Sequence, residues 1–201
     1  MRGDLPVGTE AVTHLLRHLA IVVACIHLSG CAASTGTHPY AAMNPEARDP
    51  RRANELNTRA ADLLETDAKE AERLLRETLG FDLFHGPAHN NLGVIYLGQN
   101  RWYEAASEFE WARKLLPGHP DPRVNLAMTL EKADRLTDAI ASYESALEVR
   151  PGHLPAIQGL ARARVKSGLR DDRTRELLDE IVMRAESDEW REWAQGERAR
   201  H

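Results

Sequence analysis

A 34-residue sequence repeat constrains the fold of this chain more than any other feature. The segment 86–119, GPAHNNLGVIYLGQNRWYEAASEFEWARKLLPGH, aligns without a gap on the segment 120–153, PDPRVNLAMTLEKADRLTDAIASYESALEVRPGH. Asn91 then aligns with Asn125, and the motif PGH closes both segments. Each segment holds two helix-like apolar patterns with a polar break between them. The repeat therefore predicts pairs of helices that stack on one another along the chain.

The residues at the strongest positions of both segments resemble the signature of the tetratricopeptide repeat (TPR), a 34-residue helix–turn–helix unit. In the first segment these residues are His89, Leu92, Gly93, Tyr96, Ala105, Phe109, Ala112 and Pro117. In the second they are Arg123, Leu126, Ala127, Leu130, Ala139, Tyr143, Ala146 and Pro151. Only His89 departs from the family pattern in the first segment. The resemblance implies an all-α fold, in which antiparallel helix pairs form a right-handed superhelix.

The same register extends in both directions with weaker matches. We expect degenerate repeats at 52–85 and 154–187, because terminal repeats have one face in water. The tail 188–201 predicts a short capping helix that follows Ser187 as its N-cap. Trp190 and Trp193 would cover the last repeat, with contact to a partner as the alternative. The TPR domain thus comprises 52–201, with two clear repeats between two degenerate ones and a cap.

The N-terminal segment predicts where the protein is located in the cell rather than how it folds. The apolar stretch 19–28 follows Arg17 and is too short to span a bilayer, which favours a secretory signal peptide over residues 1–30. The motif LSGC at its end resembles a bacterial lipobox, which implies lipidation (palmitate) of Cys31. Alanine at position 32 favours the outer membrane by resemblance to bacterial sorting rules. Residues 31–51 would form a flexible tether, so the domain would face the periplasm.

Composition and motifs argue against several other kinds of function. The formal net charge of −5 comes without a broad basic region, which disfavours a nucleic-acid partner. The chain contains no sequence motif typical of a catalytic, cofactor or phosphate site. Three histidines, His85, His119 and His153, recur with the spacing of the repeat and are therefore too far apart to share one metal ion. We expect a non-enzymatic protein without a cofactor or a metal ion.

The resemblance places the binding surface in a concave groove formed by the first helix of each repeat. Its candidate contact residues are Asn57, Asn90, Asn91, Val94, Val124, Asn125, Met128, Gln158 and Arg162. Asparagine recurs at one repeat position as Asn57, Asn91 and Asn125, and a row of amides can bind the main chain of an extended peptide. Such a ladder occurs in the repeats of protein O-GlcNAc transferase. The basic residues of the carboxylate clamp of chaperone-binding TPR domains are missing.

These features lead to one hypothesis and its alternatives. The chain would be a membrane-anchored interaction scaffold that binds a protein or an extended peptide and assists the assembly of an envelope machine. It would be a pilotin-like or tight-adherence pilus or secretion lipoprotein, or an adaptor for cell-wall enzymes. The other classes are an enzyme or small-molecule binder, and a protein that self-assembles through its repeat ends.

Overall fold

The computed structural model describes residues 48–200, and every regular element in that range is an α-helix. The helices are α1 Pro50–Leu63, α2 Ala68–Phe81, α3 Gly86–Gly98, α4 Trp102–Leu115, α5 Asp121–Lys132, α6 Leu136–Val149, α7 Leu154–Lys166, α8 Asp172–Arg184 and α9 Asp188–Arg198. The predicted signal peptide, Cys31 and most of the predicted tether lie outside the described residues. Within them, no helix is long and apolar enough to cross a membrane.

The first helix shows where ordered structure begins. The tether was predicted to reach residue 51, whereas α1 begins at Pro50. Proline is well suited to the first turn of a helix because its missing N–H would have no partner there. The Asp49 side chain accepts a hydrogen bond from the Arg52 N–H and caps the helix. The helix α1 thus includes the last two residues of the predicted tether, 50 and 51.

The helices pack as the 34-residue repeat predicted. The pairs α1/α2, α3/α4, α5/α6 and α7/α8 pack together, and α9 packs on α8. The first helices of neighbouring pairs also contact each other, which brings α1, α3, α5 and α7 to one side. We call the surface formed by these four helices the first-helix face. The all-α, TPR-type fold class is confirmed.

One backbone turn is repeated between the two helices of three pairs. Asn100 and Asp134 have φ angles of 59° and 57°, and Gly168, at the equivalent position of the next repeat, has a φ of 76°. Asparagine, aspartate and glycine are the residues that best tolerate this left-handed region. The residue after each one donates its N–H to a carbonyl five residues earlier, at 2.9 Å in all three cases. The first helix of each of these three pairs therefore ends in the same backbone turn.

Small and aromatic residues alternate in the core of the repeats. Ala105 and Ala139 are fully buried where two helices cross, and so are the Phe109 and Tyr143 rings beside them. Gly93 marks one close approach of the helices, since a β-carbon there would lie 2.6 Å from the Phe109 ring. Small residues at the crossings and large rings beside them fill the space between the helices at the density of a protein interior.

The last repeat departs from the pattern because its internal turn is longer. Residues 167–171 separate α7 from α8, whereas three residues separate the helices of the two clear repeats. Arg173, at the position of Ala139, is consequently exposed, and Thr174 is the buried residue. Within the predicted apolar stripe, Leu177, Leu178 and Ile181 are almost fully buried, Ala185 is buried, and Val182 is half-buried. The departure is thus a change of turn length, with the helix pair kept.

The C-terminal helix α9 packs on α8 and carries two half-buried tryptophans. The rings of Trp190 and Trp193 meet edge to face, with centroids 5.3 Å apart. Ser187 occupies the N-cap position but makes no side-chain capping hydrogen bond. The acidic first turn of α9, with Asp188 and Glu189, stabilises the N-terminus through the helix dipole instead.

Candidate functional site

Four asparagines lie side by side on the first-helix face. Asn57 belongs to α1, Asn90 and Asn91 to α3, and Asn125 to α5, and all four side chains are half-buried. The Asn91 Nδ2 donates a hydrogen bond to the Asn57 Oδ1 at 3.2 Å. The Asn125 Nδ2 donates to the Asn90 Oδ1 at 3.0 Å. The amides therefore form two bonded pairs across successive helices.

This pairing differs from the predicted row of three equivalent amides. Asn90 has no equivalent asparagine in the neighbouring repeats, so the repeat pattern did not include it in the ladder. Its side chain nevertheless takes the place that Asn91 was expected to take beside Asn125. The reason is geometrical, because adjacent residues of a helix lie about 100° apart around its axis and only one of them can face a given neighbour.

Apolar side chains lie beside the amides at another recurrent position. Val94 and Met128 are equivalent residues of successive repeats, and each is 39% exposed. Arg162 follows at the same position in the last repeat. Val124 requires a correction: it was predicted to contact a partner, but it is buried in the core with 6% exposure. The accessible part of this surface thus consists of amides, one valine and one methionine.

The asparagine series ends at Gly159 for a steric reason. A β-carbon at Gly159 would lie 2.2 Å from the ring of Tyr143, which is fully buried. The Tyr143 hydroxyl donates to Glu131 at 2.6 Å, and burial together with this bond raises the pKa of Tyr143. An asparagine side chain at position 159 would need the space that the Tyr143 ring occupies. Gln158 beside it is half-buried.

The charged end of the first-helix face is built around Arg162. Its guanidinium donates to both carboxylate oxygens of Glu131, at 2.8 and 3.3 Å, and this pairing raises its pKa. The same group lies 5.6 Å from the centre of the Trp190 ring, a cation–π distance. A cleft of about 440 Å³ opens here between Met128, Glu131, Lys132, Arg162 and Lys166. Arg162 therefore connects the repeats to the capping helix.

A buried polar cluster occupies the position at which His89 departs from the family pattern. The His89 ring is fully buried and stacks on Trp111, with centroids 5.8 Å apart. Its Nδ1 lies 2.6 Å from a carboxylate oxygen of Glu108, and its Nε2 lies 2.9 Å from the carbonyl oxygen of Leu83. Both ring nitrogens thus face oxygen acceptors. The sequence shows that His89 departs from the family pattern, but it does not reveal these partners.

The histidines that recur with the period of the repeat lie at the starts of first helices. His85 caps α3 by accepting the Ala88 N–H on its Nδ1, and burial lowers its pKa. His153 holds the N-cap position of α7 without a side-chain cap, and His119 is exposed. Among the described residues, no group of three or more histidine, cysteine, aspartate or glutamate side chains could hold a metal ion.

The chain matches a family model described as the protein kinase G tetratricopeptide repeat, over residues 53–190. This is more than half of the chain. The chain belongs to this TPR family. The match begins in α1 and extends into α9, so it spans all four helix pairs. No curated protein matches the chain.

Solved structures of several other proteins have a similar fold. The first TPR domain of Spaghetti (RPAP3), bound to an HSP90 peptide, is 17% identical with a TM-score of 0.58, and the match covers 61% of this chain and 98% of that one. MamA is 18% identical with a TM-score of 0.57 and coverages of 76% and 84%. An O-GlcNAc transferase mutant from Thermobaculum terrenum is 27% identical with a TM-score of 0.60, and the match covers 66% of this chain and 26% of that one.

Proposed function

We propose that this protein is an interaction scaffold that binds an extended segment of a partner protein along the first-helix face. The observation that supports this proposal most strongly is the row of paired, half-buried amides on α1, α3 and α5. Exposed Val94 and Met128 lie one helical turn further along α3 and α5. The surface thus combines groups for a peptide main chain with apolar contacts for its side chains.

The amides keep binding capacity after pairing with each other. Each asparagine side chain offers two N–H donors and a carbonyl oxygen with two lone pairs. One mutual hydrogen bond per pair, such as that from Asn91 to Asn57, uses only part of this capacity. It also holds the side chains in place, which lowers the conformational entropy lost on binding. Main-chain groups of a peptide are the same in every sequence, so such a surface would select its partner through the apolar and charged positions.

The structural relatives support a peptide or protein as the partner. Two of the similar structures are RPAP3 TPR domains in complex with peptides of HSP90 and HSP70. Their low identity to this chain limits the support to the fold. The expected asparagine row of this chain resembles the ladder of protein O-GlcNAc transferase, and an O-GlcNAc transferase mutant is among the similar structures.

A peptide library tests the proposal directly. The full chain would be used to select binders from a displayed random-peptide library, and the enriched peptides would be measured by fluorescence anisotropy. We expect Asn91→Ala with Asn125→Ala to weaken binding about tenfold or more, since two hydrogen bonds of about 1 kcal/mol each are lost. Gln195→Ala removes an exposed amide on α9 and should leave binding unchanged.

Two results would contradict peptide binding at the first-helix face. Enriched peptides that bind the double variant as tightly as the native chain would place their site elsewhere. Failure to enrich any peptide whose binding saturates would remove the argument for a peptide ligand. Circular dichroism of the double variant should keep the helical signal of the native chain, because all changed side chains are half-buried at the surface.

The proposed address is the bacterial envelope, with Cys31 lipidated and the TPR domain on the periplasmic side of the outer membrane. The sequence motif LSGC supports this part of the proposal. There the scaffold would assist the assembly of a pilus or secretion machine, or recruit cell-wall enzymes. Cys31→Ala should abolish palmitate labelling and release the protein from the membrane fraction, with Cys25→Ala as the matched control. Labelling that persists in Cys31→Ala would refute the lipidation.

A further inference from the structure

The two clear repeats fill one structural position with different residues. In the first of them, His89 on α3 faces Glu108 and Trp111 on α4. The equivalent residues of the next repeat are Arg123, Ser142 and Ser145.

The equivalent residues of the second repeat also contact one another. The Arg123 Nε donates to the Ser145 hydroxyl at 3.2 Å, and the Ser142 hydroxyl donates to the Arg123 carbonyl at 2.9 Å. Two small hydroxyl side chains therefore stand where the preceding repeat has a carboxylate and an indole.

A cleft of about 560 Å³ lies at this place. Its walls come from the second helices α4 and α6, and its floor comes from Leu126 and Leu130 of α5. Small residues of α4 and α6, including Ala106 and Ala141, keep it open, and Tyr103 stands at its rim with 90% exposure. The volume that Glu108 and Trp111 fill in one repeat is thus part of an open cleft in the next. None of the four asparagines of the first-helix face lines this cleft.

The cleft also carries a positive charge without a matching carboxylate. Arg113 pairs with Glu110, and Arg135 pairs with Asp138. Among the described residues, Arg123 has no carboxylate within ion-pair distance, and its hydrogen bonds go to Ser145 and to the carbonyl of His119. Desolvation and the charge of Arg113 lower its pKa, and the charge of Glu148 offsets this only in part. An anion beside Arg123 would relieve this unfavourable environment.

We propose that this cleft binds an acidic segment of a partner protein that carries an aromatic side chain. A carboxylate of the partner takes the position beside Arg123 that Glu108 takes beside His89. The aromatic ring fills the space above Ser145 that Trp111 fills in the preceding repeat. The preceding repeat of the same chain is therefore the template for the bound state, with the two missing side chains supplied by the partner.

Synthetic peptides test this proposal on the full chain. The first probe is a fluorescent peptide with one tryptophan among aspartates and glutamates. The second has asparagine and glutamine in place of the acids, and the third has alanine in place of the tryptophan. We expect the first peptide to bind saturably and the other two to bind about tenfold or more weakly, since each loses a charge-assisted hydrogen bond or an aromatic contact.

Three variants separate binding in this cleft from binding elsewhere on the chain. Arg123→Gln should weaken the first peptide about tenfold or more through the lost charge-assisted bond. Ser142→Glu supplies the missing carboxylate within the chain, so it should weaken the peptide similarly while the melting temperature stays the same or rises. Ser187→Glu adds the same charge at an exposed position outside the cleft and should bind like the native chain.

The outcomes are decisive in both directions. Saturable binding that is lost in Arg123→Gln and Ser142→Glu, and kept in Ser187→Glu, supports the proposal. The proposal is overturned if the native chain does not bind the acidic peptide, if neither cleft variant affects binding, or if Ser187→Glu loses as much as Ser142→Glu. The variant Asn91→Ala with Asn125→Ala should bind this peptide normally, and a loss there would assign the peptide to the first-helix face.

Discussion

The steric block at Gly159 leads to a stability prediction that can be worked from the structure. Replacing Gly159 with alanine adds a β-carbon 2.2 Å from Cε1 and 2.3 Å from Cζ of Tyr143. Ordinary contacts between such atoms begin at 3.4 Å, so the ring or the helix α7 would have to move by about 1 Å. Tyr143 is fully buried and its hydroxyl is bonded to Glu131, which leaves the ring little freedom to move.

The expected magnitude combines two opposing effects. Overpacking a filled core costs about 1–3 kcal/mol of unfolding free energy. The exchange of glycine for alanine within a helix returns about 0.5–1 kcal/mol. We therefore expect Gly159→Ala to lower the free energy of unfolding by up to about 2.5 kcal/mol, which corresponds to a loss of up to about 10 °C in melting temperature for a chain of this size.

The assay is thermal and urea unfolding of the full chain, followed by circular dichroism. Gly80→Ala is the matched control, because Gly80 also lies in a helix but has no atom within 4 Å of the new β-carbon. The control should be as stable as the native chain or more stable by up to about 1 kcal/mol. In a chain that already carries Tyr143→Leu, the Gly159→Ala change should lose most of its cost, because the ring is gone.

Two results would refute this reasoning. If Gly159→Ala and Gly80→Ala have the same stability, the contact with Tyr143 does not limit the position. If the cost of Gly159→Ala persists in the Tyr143→Leu background, another group causes it. Either result would also remove the steric explanation for the end of the asparagine series.

Three further predictions concern the polar contacts of the helices. The Asp171 carboxylate caps α8 by accepting the Thr174 N–H, which is the main reason that its pKa falls to about 2 from its usual 3.8. Since the pKa is lower in the folded state, this stabilisation is complete above pH about 4 and is lost as the pH falls toward 2. Asp171→Asn should accordingly show a flatter decline of melting temperature over that interval. His89→Ala should cost about 3–5 kcal/mol in urea unfolding, because it removes a fully buried ring together with its contacts to Trp111 and Glu108, and His89→Phe with Glu108→Leu should recover most of the loss. Tyr143→Phe should cost about 1–2 kcal/mol in the same assay by removing one donor from the half-buried carboxylate of Glu131, and an unchanged value would mean that water or another group replaces the hydroxyl.

The 34-residue repeat predicts only part of the candidate binding surface. The 34-residue period places Asn57, Asn91 and Asn125 on equivalent helices, and the structure brings their side chains to one face. The repeat period could not assign the hydrogen-bond partners of these asparagines, since Asn125 pairs with Asn90 on the neighbouring helix. A repeat register specifies which residues are equivalent, whereas hydrogen bonds depend on the rotation and offset between neighbouring helices.

Residues that the repeat pattern assigns to the same surface or position also differ in their burial and surroundings. Val94 and Met128 are accessible, whereas Val124, assigned to the same groove, is buried. The position that holds His89 in one repeat and Arg123 in the next is a closed polar cluster in the first case and the edge of an open cleft in the second. The side chains that decide this, at 108 and 142 and at 111 and 145, lie on the following helix and are distant from that position along the chain.

The sequence alone determined the fold of this protein, because small, aromatic and helix-ending residues recur with one period and each helix pair needs its neighbours to bury its apolar surface. It also marked where the repeats weaken. Only the tertiary structure decided which amides bond, why the asparagines stop at Gly159, and where a cleft opens. These features depend on the volumes of side chains that meet between helices. Because protein interiors are packed as densely as crystals, replacing two large side chains with small ones leaves a cleft. This cleft can be identified only when the positions of both helices are known.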